Sequence, residues 1–208
     1  MTLDEYIIQC SDNEPEYLKT IHRKTHVRMM NPRMISGHLQ GRILAMICHM
    51  IQPTTILEIG TFTGYSALCL AEALPENGTL HSIECDDELE NEIRENLNLS
   101  THGQKVVLHI GQALEVIDSI NEVFDLVFID ADKREYSSYF NKVFPKVRQG
   151  GFIIADNTLW DGKVLKTTEL NDHQTIAIKE FNKQISNDQR VQKVMLPLRD
   201  GLTIIRKL

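Results

Sequence analysis

From residue 54 onward the chain alternates short apolar strands with helix-like segments, and this alternation limits the folds open to it more than any other feature. TTILEIG is followed by YSALCLAEAL, TLHSIE by DDELENEIRENLNL, KVVLHIG by QALEVIDSI, and FDLVFIDAD (124 to 132) by REYSSYFNKVFPKV, before GGFIIADN (150 to 157). Strands that return through helices lie parallel in a sheet covered on both faces. The last stretch breaks the pattern. After a long helix at about 173 to 187, VQKVMLPL and LTIIRKL flank Arg199-Asp200-Gly201, which reads as an antiparallel hairpin. The expected fold class is α/β: a doubly wound, mostly parallel sheet of seven strands with an antiparallel C-terminal hairpin and extra N-terminal helices.

Residues 1 to 30 read as a polar, partly amphipathic helix that ends at Asn31-Pro32, because proline pushes the residue before it out of the helical region. In GHLQGRILAMICHMI (37 to 51), Leu39, Ile43, Met46, Ile47 and Met50 recur at helical spacing and are assigned to the core, with Pro53 marking the exit. The 208 residues hold no repeat and fit a single domain. A net charge of -7 argues against a general polyphosphate-binding surface. One local exception is His22, Arg23, Lys24, His26 and Arg28, a cluster that is either a solvated helix face or a binding patch. Cys10, Cys48, Cys69 and Cys85 are scattered without metal-ligand or disulfide spacing, which fits a reducing compartment. The acidic N-terminus lacks a signal-peptide pattern, and no apolar run approaches the roughly 18 residues of a membrane span, so the expected location is cytoplasmic, with no membrane partner.

Three oxygen-bearing side chains close two of the strands: Asp130 ends one, and Asp156 with Asn157 ends the other. A parallel sheet brings such residues together at its carboxyl edge, where ligands bind. Two carboxylates and an amide suit a hard cation that keeps positions open for other oxygens. The alternative is that Asp130 and Asp156 cap helices while Asn157 turns the chain.

Between the first strand and its helix, LEIGTFTGYS carries Glu58, Gly60 and Gly64 as ExGxxxG. Gly60 allows a tight turn, and Gly64 removes a side chain where a ligand or the helix comes close. Phe62 stands where a dinucleotide loop has glycine, and Glu58 would repel phosphate, so a cofactor without phosphates is favoured. Glu84, which closes the next strand 24 residues beyond Gly60, is placed to accept ribose hydroxyls, or else is a helix-start carboxylate beside Asp86 and Asp87. Gly111-Gln112-Ala113 would flank the base.

With these motifs assembled, residues 30 to 208 resemble the cation-dependent class I S-adenosylmethionine O-methyltransferases of the caffeoyl-CoA and catechol type, through LEIGTFTGYSALCLAEALPENG, FDLVFIDADKREY, GGFIIADNTLWDGKV and LPLRDGLTI. The resemblance implies a Rossmann-like domain, 1–208, in which residues 1–52 are N-terminal helices covering the site and 54–208 form the cofactor- and metal-binding core. It implies S-adenosyl-L-methionine bound by Ser36, Glu58, Gly60, Thr61, Ser66, Glu84, Ala113, Asp130 and Asp132. It also implies a divalent cation, foremost Mg2+, with Ca2+ or Mn2+ as alternatives, on Asp130, Asp156 and Asn157. Asp130 and Lys133 become catalytic residues, with Lys133 where catechol-type members have a lysine proposed as base. A homodimer is implied as well. Three departures fall near the expected acceptor pocket, lined by Trp160 and Asp161. Asp161 replaces the usual Asn, Arg199 replaces a common Gly, and SGHLQG lacks an acidic residue before its last Gly.

The function expected on these grounds is metal-dependent methyl transfer to a vicinal-dihydroxy or hydroxylated aromatic small molecule. Lys133 would accept the proton, or would be a surface lysine, or a partner for Asp130. Trp160 lines the acceptor pocket or anchors packing. The rival readings are a tRNA hydroxyuridine O-methyltransferase that uses the 22–28 cluster on RNA, and a non-catalytic cofactor-binding protein.

Overall fold

The computed structural model describes residues 1–208, the side chain of Asp4 excepted. In chain order the elements are α1 (Leu3–Gln9), α2 (Glu16–Arg28), α3 (Gly37–Ile51), β1 (Thr55–Ile59), α4 (Tyr65–Ala71), β2 (Thr79–Glu84), α5 (Glu90–Leu97) and β3 (Val106–Ile110). There follow α6 (Ala113–Ser119), β4 (Phe124–Ile129), α7 (Tyr136–Val143), β5 (Val147–Ala155), α8 (His173–Asn187), β6 (Val191–Leu196) and β7 (Leu202–Lys207). The strands are ordered β3-β2-β1-β4-β5-β7-β6, with β6 and β7 antiparallel and the β2–β3, β1–β4 and β4–β5 pairs parallel. This is the mostly parallel sheet with a C-terminal hairpin that the alternation predicts.

Internal contacts cluster in two units, residues 1–54 with 61–110 and residues 55–60 with 111–208. In the first, α3 spans the predicted segment but turns a different face inward. Gln40, Gly41, Leu44, Ala45, Ile47 and Cys48 are buried, whereas Met46 and Met50 are 55% and 71% exposed. The assignment of those two methionines to the core is therefore corrected. Close helix packing is the cause: a Cβ on Gly41 would lie 2.8 Å from Cys69 Sγ and Tyr65 Cε1 of α4, so the face with small residues wins over the face with large ones. The single helix expected over residues 1 to 30 is also corrected. Helix α1 ends at Gln9, and α2 begins after Pro15, whose lack of a backbone N–H suits a helix start and not a helix interior.

In the second unit, Phe124, Phe128, Tyr136, Phe140 and Phe181 are fully buried. Burial of each aromatic side chain contributes about 1.5–3 kcal/mol, enough to make this cluster the anchor of β4, α7 and α8. Ile129 of β4 lies opposite both Ile59 of β1 and Ala155 of β5, so three parallel strands end level with one another.

Candidate active site

In the second unit, Gly60 follows β1 with φ 97°, and a Cβ there would lie 2.1 Å from the Asp130 carbonyl oxygen. Glycine is thus required both for conformation and for the approach of the chain leaving β4. Gly64, in the first unit, caps α4 at φ 84°, yet a Cβ there would make only ordinary contacts, the nearest at 3.6 Å to Leu97. Against the rest of the chain it is Gly60 that makes the close approach, while Gly64 supplies a left-handed backbone at the start of α4.

Phe62 also has positive φ, at 52°, a strained conformation for a bulky residue. Glu84 holds it there. Its Oε2 accepts from Phe62 N at 2.8 Å, while Oε1 accepts from Cys85 N at 2.9 Å and Asp86 N at 3.0 Å. A carboxylate has roughly four acceptor positions. Three are used, which leaves capacity for one further hydroxyl, on Oε2. The glycine loop is fixed from its other flank by a buried Thr61–Ser82 hydroxyl pair at 2.5 Å, by Thr63 Oγ1 against Thr25 Oγ1 at 2.9 Å, and by Asn96 donating to Thr63 O at 3.0 Å. Ser36 at the start of α3 and Ser66 in the first turn of α4 are buried.

In the second unit the strand-end arrangement inferred from sequence is present. Asp130 and Asp156 follow the paired residues Ile129 and Ala155 on neighbouring parallel strands, which lie roughly 4.8 Å apart. Asp130 N donates to Ile59 O at 2.9 Å and Asp156 N to Ile129 O at 3.0 Å. Asp156 is buried and its Oδ1 accepts from Asn157 N at 2.8 Å. Asn157 has φ 56°, a left-handed position that asparagine tolerates better than most residues. Among the described residues no three His, Cys, Asp or Glu side chains gather as a metal cluster, so the Asn157 amide is what would complete an oxygen donor set with Asp130 and Asp156. That set fits a hard divalent cation.

Lys133, in a short 3-10 turn at 133–135, is buried and not a surface lysine. Its Nζ donates to Asp130 Oδ1 and to the Tyr136 hydroxyl, both at 2.8 Å. The Tyr136 hydroxyl also lies 3.1 Å from the Asp156 carbonyl oxygen. Burial, reinforced by Asp130 and Asp156, pushes this hydroxyl well above its usual range and keeps it protonated. Sequence reasoning passed over Tyr136. The available signal was its spacing of three from Lys133, which places both on one face of a turn.

Asp132 caps that turn by accepting from Arg134 N at 3.0 Å and pairs with the exposed Arg134 side chain, whose hydrogen bonds hold its carboxyl below the usual range. Such exposed pairs contribute little to stability. Ala113 is buried at the start of α6. Trp160, Asp161 and Gly162 form a left-handed run with φ 49°, 52° and 67°. This loop is stitched to the β6–β7 turn: Thr158 N donates to Gly201 O at 3.1 Å, Leu159 N to Asp200 O at 2.8 Å, and Asp161 N to the Asp200 carboxylate. Trp160 is half-buried, with Lys163 Nζ 5.7 Å from its ring centroid.

Arg23, Lys24 and Arg28 of the basic cluster on α2 line one open groove with Glu16 and Lys19, and two of the three also have partners on α5. Arg28 pairs with Glu92 at 2.6 Å, and Lys24 bonds Asn96 at 3.4 Å and approaches Glu95 at 3.9 Å, so two of its cations are directed at α5. His26 Nδ1 bonds the His22 carbonyl at 3.0 Å. Among the described residues no helix is long and apolar enough to cross a membrane.

Strands joined through helices in a mostly parallel sheet, with Asp130 and Asp156 just beyond the level ends of β4 and β5, make a doubly wound α/β architecture of the kind that binds ligands at its carboxyl edge. The O-methyltransferase family model matches residues 8–208, and the chain belongs to that family. It is similar to a caffeoyl-CoA O-methyltransferase of Petroselinum crispum, 32% identical over 99% of this chain and 90% of the relative. Among solved structures it resembles the O-methyltransferase TomG from Streptomyces achromogenes in complex with SAM (TM-score 0.91, 27% identity, 99% and 95% of the two chains). It is also similar to an O-methyltransferase from Bacillus cereus in complex with SAH (TM-score 0.91, 26% identity, 99% and 97%). The protein is a methyltransferase enzyme.

Proposed function

We propose that this protein transfers a methyl group from S-adenosylmethionine to a hydroxyl of a vicinal-dihydroxy or hydroxylated aromatic small molecule, in a reaction that requires a divalent cation. The observation that carries this reading is Asp130 and Asp156 on adjoining strand ends with Asn157 beside them and buried Lys133 bonded to Asp130. The relatives named above, one called for caffeoyl-CoA and two solved with SAM or SAH, support the donor and the acceptor class. Cofactor contacts are assigned to Ser36, Thr61, Ser66 and Glu84 in the first unit and to Glu58, Gly60, Ala113, Asp130 and Asp132 in the second.

Asp130, Asp156 and Asn157 would hold the cation, which when bound supplies Lewis acidity and a fixed direction for two neighbouring acceptor oxygens. The chain's own residues do the rest. Trp160 and Asp161 border the acceptor. Lys133 Nζ takes the hydroxyl proton while the oxygen forms its bond to the methyl carbon and the sulfur–carbon bond breaks, its electron pair passing to sulfur.

The test is tritium-methyl transfer from labelled S-adenosylmethionine to a panel of catechols and to undermodified tRNA, with and without chelator. Chelator-sensitive labelling of a catechol is the expected result. Labelling of tRNA alone, or full activity after exhaustive chelation, would overturn the reading.

A further inference from the structure

The Tyr136 hydroxyl lies beside Lys133 and Asp156. The side chain is fully buried, and a buried phenol hydroxyl needs partners. Its neighbours are the carbonyl oxygens of Asp156 at 3.1 Å and Ile129 at 3.4 Å, and Lys133 Nζ at 2.8 Å. Carbonyl oxygens can only accept, so the single hydroxyl proton goes to them, and the phenol oxygen is left to accept from Lys133. The direction of the chain is therefore fixed: Lys133 donates to Tyr136, and Tyr136 donates to the backbone at Asp156.

A lysine amine has three positions around nitrogen beyond its stem. Two are committed, to Asp130 Oδ1 and to the Tyr136 hydroxyl, both at 2.8 Å. Only one direction remains for an acceptor. The Tyr136 ring cannot swing to release this arrangement, because it packs edge-on against Phe181 of α8, with centroids 5.5 Å apart at 89°, in the fully buried aromatic cluster. Without the hydroxyl, Nζ would keep Asp130 as its one hydrogen-bond partner, with the ring centroid 4.9 Å away, and could rotate about the end of a four-carbon stem.

From this geometry we infer that Tyr136 is a positioning residue that acts through Lys133, aiming the one uncommitted direction of Nζ at the acceptor hydroxyl. The inference rests on the proton-accepting role proposed for Lys133. Misaiming a proton acceptor lowers the rate of the chemical step without weakening binding, because reach within hydrogen-bond distance decides its efficiency.

Tyr136→Phe removes only the hydroxyl and keeps the ring against Phe181. Kinetics of the wild type, Tyr136→Phe, Lys133→Met and the double variant form a cycle. Tyr136→Phe should lower kcat by about 10-fold or more with the acceptor KM within about twofold, and the double variant should be no slower than Lys133→Met alone, since residues acting as a unit are non-additive. Losses that multiply, or a change confined to KM, would overturn the inference and assign the hydroxyl to structure. A second readout needs neither acceptor nor turnover. Nitrogen-15 NMR of the side-chain amines should show Lys133 Nζ protons protected from exchange in the wild type, identified by their absence in Lys133→Met, and exchanging about 10-fold faster or more in Tyr136→Phe as the bond is lost. If the wild type shows no protected Nζ signal, the inference fails even where Tyr136→Phe does not fold. If no acceptor is methylated yet protection behaves as described, the bond from Lys133 to Tyr136 stands, but the aiming role falls together with the proposed reaction.

Discussion

Two of the strands that carry a carboxylate at or just beyond their ends use it in opposite ways. Glu84, at the end of β2, is answered by three backbone N–H groups, from Phe62, Cys85 and Asp86. Asp130, just beyond β4, is answered by a side-chain cation, Lys133. The first charge is bound into the chain's own loop and shapes it. The second is held by a partner that exchange or mutation can remove. A carboxylate satisfied by backbone is a structural element with acceptor capacity to spare, whereas one satisfied by a lysine depends on a single side chain.

The largest expected effect sharpens the second half of this contrast. Asp156→Ala should abolish turnover while S-adenosylhomocysteine affinity, measured by calorimetry, stays within about twofold, because catalytic groups that act together fail together. Retained turnover would remove Asp156 from the reaction. Next, Lys133→Met should lower kcat by about 10²-fold, the scale of losing a positioned proton acceptor. The deficit should narrow between about pH 6.5 and 9.5 as alkali ionises the acceptor hydroxyl unaided. A constant offset across that range would make the lysine structural.

Glu84→Ala tests the first half and should act on stability as well as on ligand affinity. It leaves the N–H groups of half-buried Phe62 and of exposed Cys85 and Asp86 without their acceptor, and because water can answer the exposed two, the loss in denaturant unfolding should be about 1 kcal/mol. Cofactor affinity should fall by a similar amount. A variant with unchanged stability and weakened cofactor binding would show that the loop holds its shape without Glu84.

The smallest effect is in pH. In the first unit, His109 is held below the usual histidine range by burial and then by His81, whose Nδ1 lies 2.9 Å from His109 Nε2. The unfolded chain then binds more protons than the folded one below about pH 6.5, so this stabilisation is complete above that pH and is lost as pH falls toward the folded value. In the second unit, Asp132 is depressed by Arg134, and its contribution is lost only below about pH 4. His22 and His102 are also held below the usual range by burial, so unfolding followed from pH 7 to 5 should show an acid loss that His109→Gln reduces and Asp132→Asn leaves unchanged.

Sequence period and strand-end residues were enough to place the sheet order class, the bounds of α3 and α8, and the adjacency of Asp130 with Asp156, because these depend on local alternation and parallel register. What escaped depends on contacts between distant residues. Met46 and Met50 share the helical period of a core face, but the closeness of α3 to α4 at Gly41 selected the neighbouring face. The need for Gly60 comes from Asp130, 70 residues on, and the place of Tyr136 from a carbonyl 20 residues on. The partners of Arg28 and Lys24 on α5, Glu92 and Asn96, likewise lie 64 and 72 residues on.

The stitching of residues 158–161 to Asp200 and Gly201 has a practical corollary for anyone wishing to exchange this loop. A Cβ at Gly201 would fall 2.6 Å from Leu159 Cγ, and Asp200 receives both Leu159 and Asp161. The two segments are far apart in the gene but behave as one cassette. A chimera that imports the Trp160 loop from a relative without its matching C-terminal turn would import a loop cut for a different mould, and libraries randomised at one segment should be built with the other varied alongside it.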